Sequence, residues 1–271
     1  MPELPEVETT RRGITPHVTG KRVRDLVVRN HQLRWPVPRD LAPAVRGRKL
    51  LRVERRGKYL LLCFTHGTAL WHLGMSGSLR VVQSADPVGK HDHVDMVFAG
   101  DLALRFNDPR RFGALLWTSE PVASHKLLLH LGPEPLSDDF NADYAFAQSR
   151  KRTQAAKSWL MDSRRVVGVG NIYANEALFA ARIHPLRQAG KLSRLDCERL
   201  VVEVKRILAC AIERGGTTLR DFVGGDGKPG YFAQELLCYG RGDMPCFECG
   251  KPLTEKRLGQ RTTVYCTRCQ K

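Results

Sequence analysis

Cys246-x-x-Cys249 and Cys266-x-x-Cys269 stand sixteen residues apart near the end of the chain. This spacing limits the fold more than any other feature. Two CxxC knuckles at that distance let four thiolates surround one tetrahedral ion, and a segment this short has too few apolar residues for a core of its own. Zinc is the expected ion, and a four-cysteine iron site of the rubredoxin type is the alternative. No open coordination position is in view, so the metal is expected to fold the module and take no part in chemistry. Lys251, Lys256, Arg257, Arg261 and Arg268 lie between or within the knuckles. They make this end of the chain a candidate contact for phosphate. Cys63, Cys197, Cys210 and Cys238 are scattered and read as small buried apolar residues.

The rest of the chain divides by period. From Lys21 to about Thr118, apolar runs are short and rich in β-branched and aromatic residues. Strands are expected at Val23–Val28, Leu50–Val53, Tyr59–Phe64, Ala69–Leu73, Leu79–Val82, Val94–Phe98, Leu102–Phe106 and Ala114–Trp117. Ala99-Gly100-Asp101 reads as a hairpin turn. So many short strands in succession predict a sandwich or flattened barrel. Beyond the proline-rich stretch 132–139 the period becomes helical. Cys197, Leu200, Val201, Val204, Ile207, Leu208, Ala211 and Ile212 follow 3.6-residue spacing, with Ser193 as cap and Gly215-Gly216 as terminator. Further helices are expected from Asn171 to about Ala181, over 142–162, and from Pro5 to Arg12 with Gly13 stopping the last. The glycine-rich stretch Thr217–Tyr231 reads either as a connector or as a lid over a ligand.

Charge decides the class of partner. Lys and Arg number 44 against 28 Asp and Glu, a net +16. A surplus of that size selects a polyanion, most simply nucleic acid. The rival, an anionic membrane surface, lacks a long amphipathic basic helix and a lipidation motif. No apolar run of spanning length and no signal peptide is read, so a soluble, cytoplasmic protein is expected.

Several short motifs carry chemistry. Met1-Pro2-Glu3-Leu4-Pro5-Glu6 would expose a secondary amine at Pro2 once Met1 is removed, with two carboxylates close by. An α-amino group titrates near ~7.7–8.0, far below lysine, so roughly a tenth of it is unprotonated and nucleophilic at neutral pH. Attack on a sugar C1′ gives an iminium, an electron sink of the Schiff-base kind. The alternative is a merely stiffened start. Asn107-Asp108-Pro109-Arg110-Arg111-Phe112-Gly113 and Gly74-Met75-Ser76-Gly77 are tight turns tipped by Arg110, Phe112 and Met75. Such tips either belong to ordinary strands or wedge a duplex while a base is extruded. Lys58 follows a basic turn and reads as solvated, or as gripping a phosphate and moving protons. Of His91 and His93, one is expected to bond phosphate and the other to pack. Gly168-Val169-Gly170-Asn171 opens a helix and forms a weak anion site.

Together these motifs resemble the formamidopyrimidine-DNA glycosylases of bacterial base-excision repair, over essentially the whole chain. The resemblance rests on the Pro-Glu-Leu-Pro-Glu start, His72-Leu73-Gly74-Met75-Ser76-Gly77, Asp108-Pro109-Arg110-Arg111-Phe112-Gly113, Val169-Gly170-Asn171-Ile172-Tyr173 and the four cysteines. It implies an α+β fold: a β-sandwich with an N-terminal helix over 1–132, a linking region over 133–149, a helix–two-turn–helix domain over 150–236, and a zinc finger over 237–271. DNA would lie in a cleft between two lobes, and residues 217–231 would cap the lesion. The resemblance makes Pro2 the nucleophile, Glu3 the acid that protonates the opened sugar, and Glu6 a supporting carboxylate. Lys58 falls on the lysine of phosphate contact and β-elimination, and Arg261 on the arginine of δ-elimination. Met75, Arg110 and Phe112 would fill the gap left by the flipped base. His91, Arg110 and Arg152 occupy DNA-binding positions, and Lys157, Asn171 and Tyr173 face phosphates. Cys246, Cys249, Cys266 and Cys269 would hold one zinc ion. The implied partner is duplex DNA bearing oxidised purines or abasic sites, bound by a monomer. Two rivals remain: an endonuclease VIII-like enzyme for oxidised pyrimidines, which typically has glycine where Leu4 stands, and a non-catalytic zinc-ribbon DNA-binding protein.

Overall fold

Short, largely buried apolar runs build the central strands of the first half of the molecule. The computed structural model describes residues 1–217 and 235–271. Residues 218–231 of the proposed capping loop lie outside them. The described residues form two compact units, one of 1–129 with 214–217 and one of 130–213 with 235–271.

In the first unit, helix α1 (Leu4–Val18) is followed by β1 (Val23–Val28), a short helix α2 (Leu41–Val45), and strands β2 (Arg52–Arg56), β3 (Tyr59–Phe64), β4 (Gly67–His72), β5 (Ser78–Gln83), β6 (Asp92–Phe98), β7 (Leu102–Asn107) and β8 (Ala114–Thr118). Two antiparallel sheets result, in the orders β1-β6-β7-β5 and β2-β3-β4-β8. The period of two decides their faces. Leu60, Leu62 and Phe64 of β3 join one core with Met96 and Phe98 of β6, Leu104 and Phe106 of β7, Trp71 of β4, and Val7, Ile14 and Val18 of α1. Each such large side chain, fully buried, contributes about 1.5–3 kcal/mol. The Ala99–Asp101 hairpin forms as expected, a three-residue connection between β6 and β7 with Gly100 and Asp101 both at positive φ (87° and 57°).

The second unit holds α3 (Ala142–Ser149), α4 (Ala156–Leu160), α5 (Asn171–Ala180), α6 (Arg194–Glu213) and a hairpin of β9 (Thr254–Leu258) and β10 (Arg261–Tyr265). Trp159, Tyr173, Leu200, Val204 and Leu208 anchor its core. Ser193 and Asp196 cap α6 reciprocally, through Asp196 N–H to Ser193 Oγ at 3.1 Å and Ser193 N–H to Asp196 Oδ2 at 2.9 Å.

Two helix expectations need correction. Helix α1 does not stop at Gly13; it runs through Gly13 and Pro16 to Val18. Glycine inside a helix costs about 1 kcal/mol, less than the burial of Ile14 and Val18 returns. The helix expected over 142–162 is two. Lys151 sits at φ 59°, and Arg150 donates to the carbonyls of Phe146 (3.2 Å) and Leu192 and to Ser149 Oγ (2.9 Å). The guanidinium thus satisfies groups at the end of α3 and makes a stop at that point favourable. Of the scattered cysteines, Cys63, Cys197 and Cys238 are buried as expected, while Cys210 is half-buried.

Candidate functional site

The first residues lie at the positive end of α1. Glu3 is its N-cap, in extended conformation, and Glu6 is the third helical residue. The two make a capping box: Glu3 accepts from the backbone of Glu6, and Glu3 N–H donates to Glu6 Oε2 at 2.8 Å. The other oxygen of Glu6 accepts from Thr217 N (2.9 Å) and Thr217 Oγ1 (2.8 Å). A Cβ on Gly216 would stand 3.0 Å from that same oxygen, so glycine lets the backbone close on the carboxylate. Pro2, Glu3 and Glu6 are all buried. The structure therefore brings the Pro2 backbone and two carboxylates together at a helix N-terminus, where partial positive charge favours anions and disfavours an ammonium.

Lys58 immediately precedes β3, and Tyr59, the first residue of that strand, sits opposite His72 of β4. The rings of Tyr59 and His72 are 4.9 Å apart. Burial, with Lys58 and Arg34 nearby, pulls the His72 imidazolium down to about 4. The neutral ring accepts from Gly74 N–H through Nδ1 at 3.0 Å. Lys58 is thus near the start of the turn that carries Met75.

That turn and the Arg110–Phe112 turn are built against each other. Gly74 has φ 69°, and a Cβ there would meet Gly113 N at 2.4 Å and the Phe112 carbonyl carbon at 2.5 Å. Buried Asp108 accepts from Gly113 N–H at 2.7 Å. The result holds Phe112 outward, 44% exposed, with the Arg110 guanidinium 4.9 Å above its ring. Met75, Arg110 and Phe112 are therefore carried on adjoining turns. The histidines divide as expected in their burial: His93 is buried, with Nε2 2.9 Å from the Asp108 carbonyl, and His91 is half-buried.

In the second unit the polar residues converge on β10. Lys157 is 1% exposed, and its Nζ donates to Thr262 O at 2.6 Å and Thr263 Oγ1 at 2.8 Å. Asn171 is the first residue of α5, half-buried, and Tyr173 is buried in the core. Arg261 is exposed at the first position of β10, beside Thr262. Arg152 is exposed next to the positive-φ Lys151.

Sequence reasoning missed the residues that hold the hairpin. Asn175 accepts from Val264 N–H at 2.9 Å, and buried Glu176 accepts from the backbone of Leu237 (2.9 Å), Cys238 (2.9 Å) and Tyr239 (2.6 Å). Gln270 accepts from Cys266 N–H and donates to Ile183 O, both at 2.8 Å. The one sequence signal for Asn175 and Glu176 is polarity on α5 positions that its length and apolar neighbours would bury.

The four cysteine sulfurs fit a metal. All lie within 4.8 Å of one another, with Cys249 to Cys266 at 3.5 Å and Cys246 to Cys269 at 4.0 Å. Four sulfurs around an ion at zinc–sulfur bond length stand about 3.8 Å apart. No other group of three or more such ligands occurs among the described residues, and no described helix is long and apolar enough to cross a membrane.

Comparison with known proteins agrees along the chain. Residues 1–115 match the profile of the formamidopyrimidine-DNA glycosylase N-terminal domain, 131–223 that of the H2TH domain of the same enzymes, and 245–271 a zinc finger found in FPG and IleRS. A formamidopyrimidine-DNA glycosylase of Saccharophagus degradans is 66% identical, with both chains covered completely. The crystal structure of the MutM (Fpg) protein of Thermus thermophilus is similar with TM-score 0.89 at 39% identity, over 99% of this chain and 98% of that one. Wild-type Lactococcus lactis Fpg, crystallised with DNA containing N7-benzyl-Fapy-dG, gives TM-score 0.92 at 32% identity over the whole of both chains.

Proposed function

The chain belongs to the formamidopyrimidine-DNA glycosylase family, and from that membership we propose the part played by each of its residues. The protein is a glycosylase of base-excision repair that excises oxidised purines from DNA and, like its family, nicks the strand as an abasic-site lyase. Cys246, Cys249, Cys266 and Cys269 hold one structural zinc ion, which folds the finger and supplies no chemistry to the reaction.

Removal of Met1 turns the Pro2 nitrogen from an amide into a secondary amine. Its lone pair attacks C1′ of the damaged nucleotide, and the bond from C1′ to the base breaks, the base leaving with the bonding pair and taking a proton from solvent. The proton displaced from the amine passes through Glu3 to the sugar ring oxygen as the ring opens. An iminium between Pro2 and C1′ remains. Loss of a 2′ proton then breaks the 3′ carbon–oxygen bond, and a second elimination breaks the 5′ one. Lys58 grips phosphate and assists the first elimination; Arg261 assists the second. Glu6 holds Glu3 and so orients the amine. Met75, Arg110 and Phe112 occupy the space the flipped nucleotide leaves, offsetting an unstacking cost of a few kcal/mol. His91, Arg152, Lys157, Asn171 and Tyr173 form the surrounding DNA contacts, directly or by holding the backbone that makes them.

The observation that supports this most is the capping box, which fixes Pro2 beside two buried carboxylates at a helix N-terminus. Borohydride should trap the processed enzyme on lesion-bearing DNA through residue 2. Pro2→Gly should bind that DNA and lose the chemistry, and Glu3→Gln should slow base release by about 10²–10⁴. An adduct mapped to Lys58 would overturn the assignment.

We also read the two four-stranded sheets as the faces of a β-sandwich, because one apolar core takes side chains from both. The catalytic domain is then 1–132, the linking region 133–149, the helix–two-turn–helix domain 150–236 and the finger 237–271, and the protein works in the bacterial cytoplasm on nucleoid DNA.

A further inference from the structure

Glu8 is a buried carboxylate that the chemistry above does not use. It lies on α1, is 8% exposed, and receives three guanidinium groups. Arg11 donates to it through Nε (3.0 Å) and Nη2 (2.8 Å), and Arg12 through Nε (3.0 Å). Both belong to its own helix and would neutralise it without help. The third, Arg55, belongs to β2 and donates through Nε at 3.2 Å. Its side chain is 12% exposed. With Nη1 the same guanidinium donates to the carbonyl of Gly57 at 3.0 Å. Gly57 is followed directly by Lys58. Arg11 adds a second, longer link, from Nη1 to Val53 O at 3.4 Å.

An ion pair this deep is a poor source of stability, because desolvating two charges offsets most of their attraction. Apolar side chains would join helix and strand as well. What a planar guanidinium adds is direction: it spans two acceptors at fixed angles and so fixes a distance. The acceptors here are the helix that begins just after Pro2 and Glu3, and the peptide just before Lys58.

We propose that Glu8 and Arg55 are positioning residues that set the placement of Lys58 relative to the α1 N-terminus. This rests on the roles given above to Pro2 and Lys58. The pair touches no reacting atom, and its effect passes through the Gly57 peptide to Lys58. It therefore acts on the elimination that Lys58 assists, and iminium formation at Pro2 proceeds without it. Glu8 stays charged across the working range, since the arginines outweigh its burial and hold it down to about 2, so the link does not open with ordinary changes of pH.

The test compares Arg55→Met, Lys58→Met and the double variant in the full-length zinc-loaded enzyme, on duplex DNA with one abasic site. Borohydride trapping reads iminium formation, strand nicking reads elimination, and thermal melting reads the fold. Misplacing a catalytic group by a fraction of an ångström to one ångström costs up to about a hundredfold, so nicking by Arg55→Met should fall about tenfold while trapping holds. In the Lys58→Met background the same change should cost nothing further. Arg55→Lys, which keeps the charge and loses the two-armed reach, should nick at an intermediate rate. If Lys58→Met slows nicking and Arg55→Met either adds to it in full or lowers trapping and nicking together in step with melting, the link is only structural and the proposal fails. If Lys58→Met itself nicks normally, the assignment of Lys58 fails first and takes the link with it.

Discussion

The turns around Met75 and Phe112 and the hairpin that carries Arg261 are both proposed to touch DNA, and they are held by opposite means. The turns rest on a core of Trp71, Phe98, Phe106, Leu104 and their neighbours. Their geometry is fixed by glycine contacts and one carboxylate, Asp108. The apolar cluster at the hairpin has Phe179 of α5, Leu253 and Val264 as its larger buried residues, with cysteines making up the rest. Its order comes from four sulfurs and from polar side chains of α5 that bond its backbone. The lesson is that a surface loop needs a rigid base, and that base is built from apolar area where the chain is long enough and from metal and buried polar bonds where it is not.

Chelating the zinc should break this comparison most severely. Structural zinc sites of this kind carry about 10–16 kcal/mol of folding free energy. The 245–271 segment should unfold and DNA binding should collapse, while the sheet signals of the first unit persist in circular dichroism or amide spectra. Loss of both units together would show that the finger has no separate source of order. Next in size is Glu176→Ala, which strands three backbone donors that Glu176 now satisfies. Each buried donor left unpaired costs about 1–3 kcal/mol, so chemical denaturation should show a drop of at least about 3 kcal/mol, and zinc should be lost at lower chelator concentration than in the wild type.

On the other side of the comparison, Gly74→Ala would drive a methyl into the Phe112–Gly113 backbone at positive φ. Overpacking of this kind costs about 1–3 kcal/mol. Zinc affinity should not change, whereas base excision should weaken more than binding to DNA that already lacks the base. The smallest effect is in the acid limb. Glu8 has its carboxyl lowered from 4.5 to about 2, as bonds from Arg11 and Arg12 outweigh burial. A depressed carboxyl binds fewer protons in the folded state than in the unfolded one. The stability it contributes is complete above pH 4.5 and is lost as pH falls toward 2. Glu8→Gln should therefore flatten the fall of melting temperature with pH in that window, and an unchanged slope would remove Glu8 from the account.

Legibility in the sequence followed the range of the forces involved. The bounds of β1 and β3, the cap and length of α6, the Ala99–Asp101 turn and the metal knuckles were all readable. In each, residues within about one turn or one strand settle the outcome. Helix α1 was misjudged because Gly13 and Pro16 are local breakers, and the packing of Ile14 and Val18 that overrides them is not local. The break at Arg150 was missed because the carbonyl of Leu192, which accepts from its guanidinium, is distant in sequence. At the candidate site, the sequence set Glu3 and Glu6 close to Pro2, but the capping box that joins them appears only in the structure. The bond from Thr217 to Glu6 and the grip of Lys157 on Thr262 had no comparable signal.

By itself the sequence determined the inventory: which segments run as short apolar strands, which follow a helical period, which cysteines meet at one ion, and that the charge seeks a polyanion. These follow from residue type and near-neighbour spacing. Only the tertiary structure decided which buried charges pair, as Glu8 with Arg55, and which helix bonds which strand, as Asn175 with Val264. Such choices are made among many chemically equivalent partners, and selection among equivalents depends on where the rest of the chain has already put them.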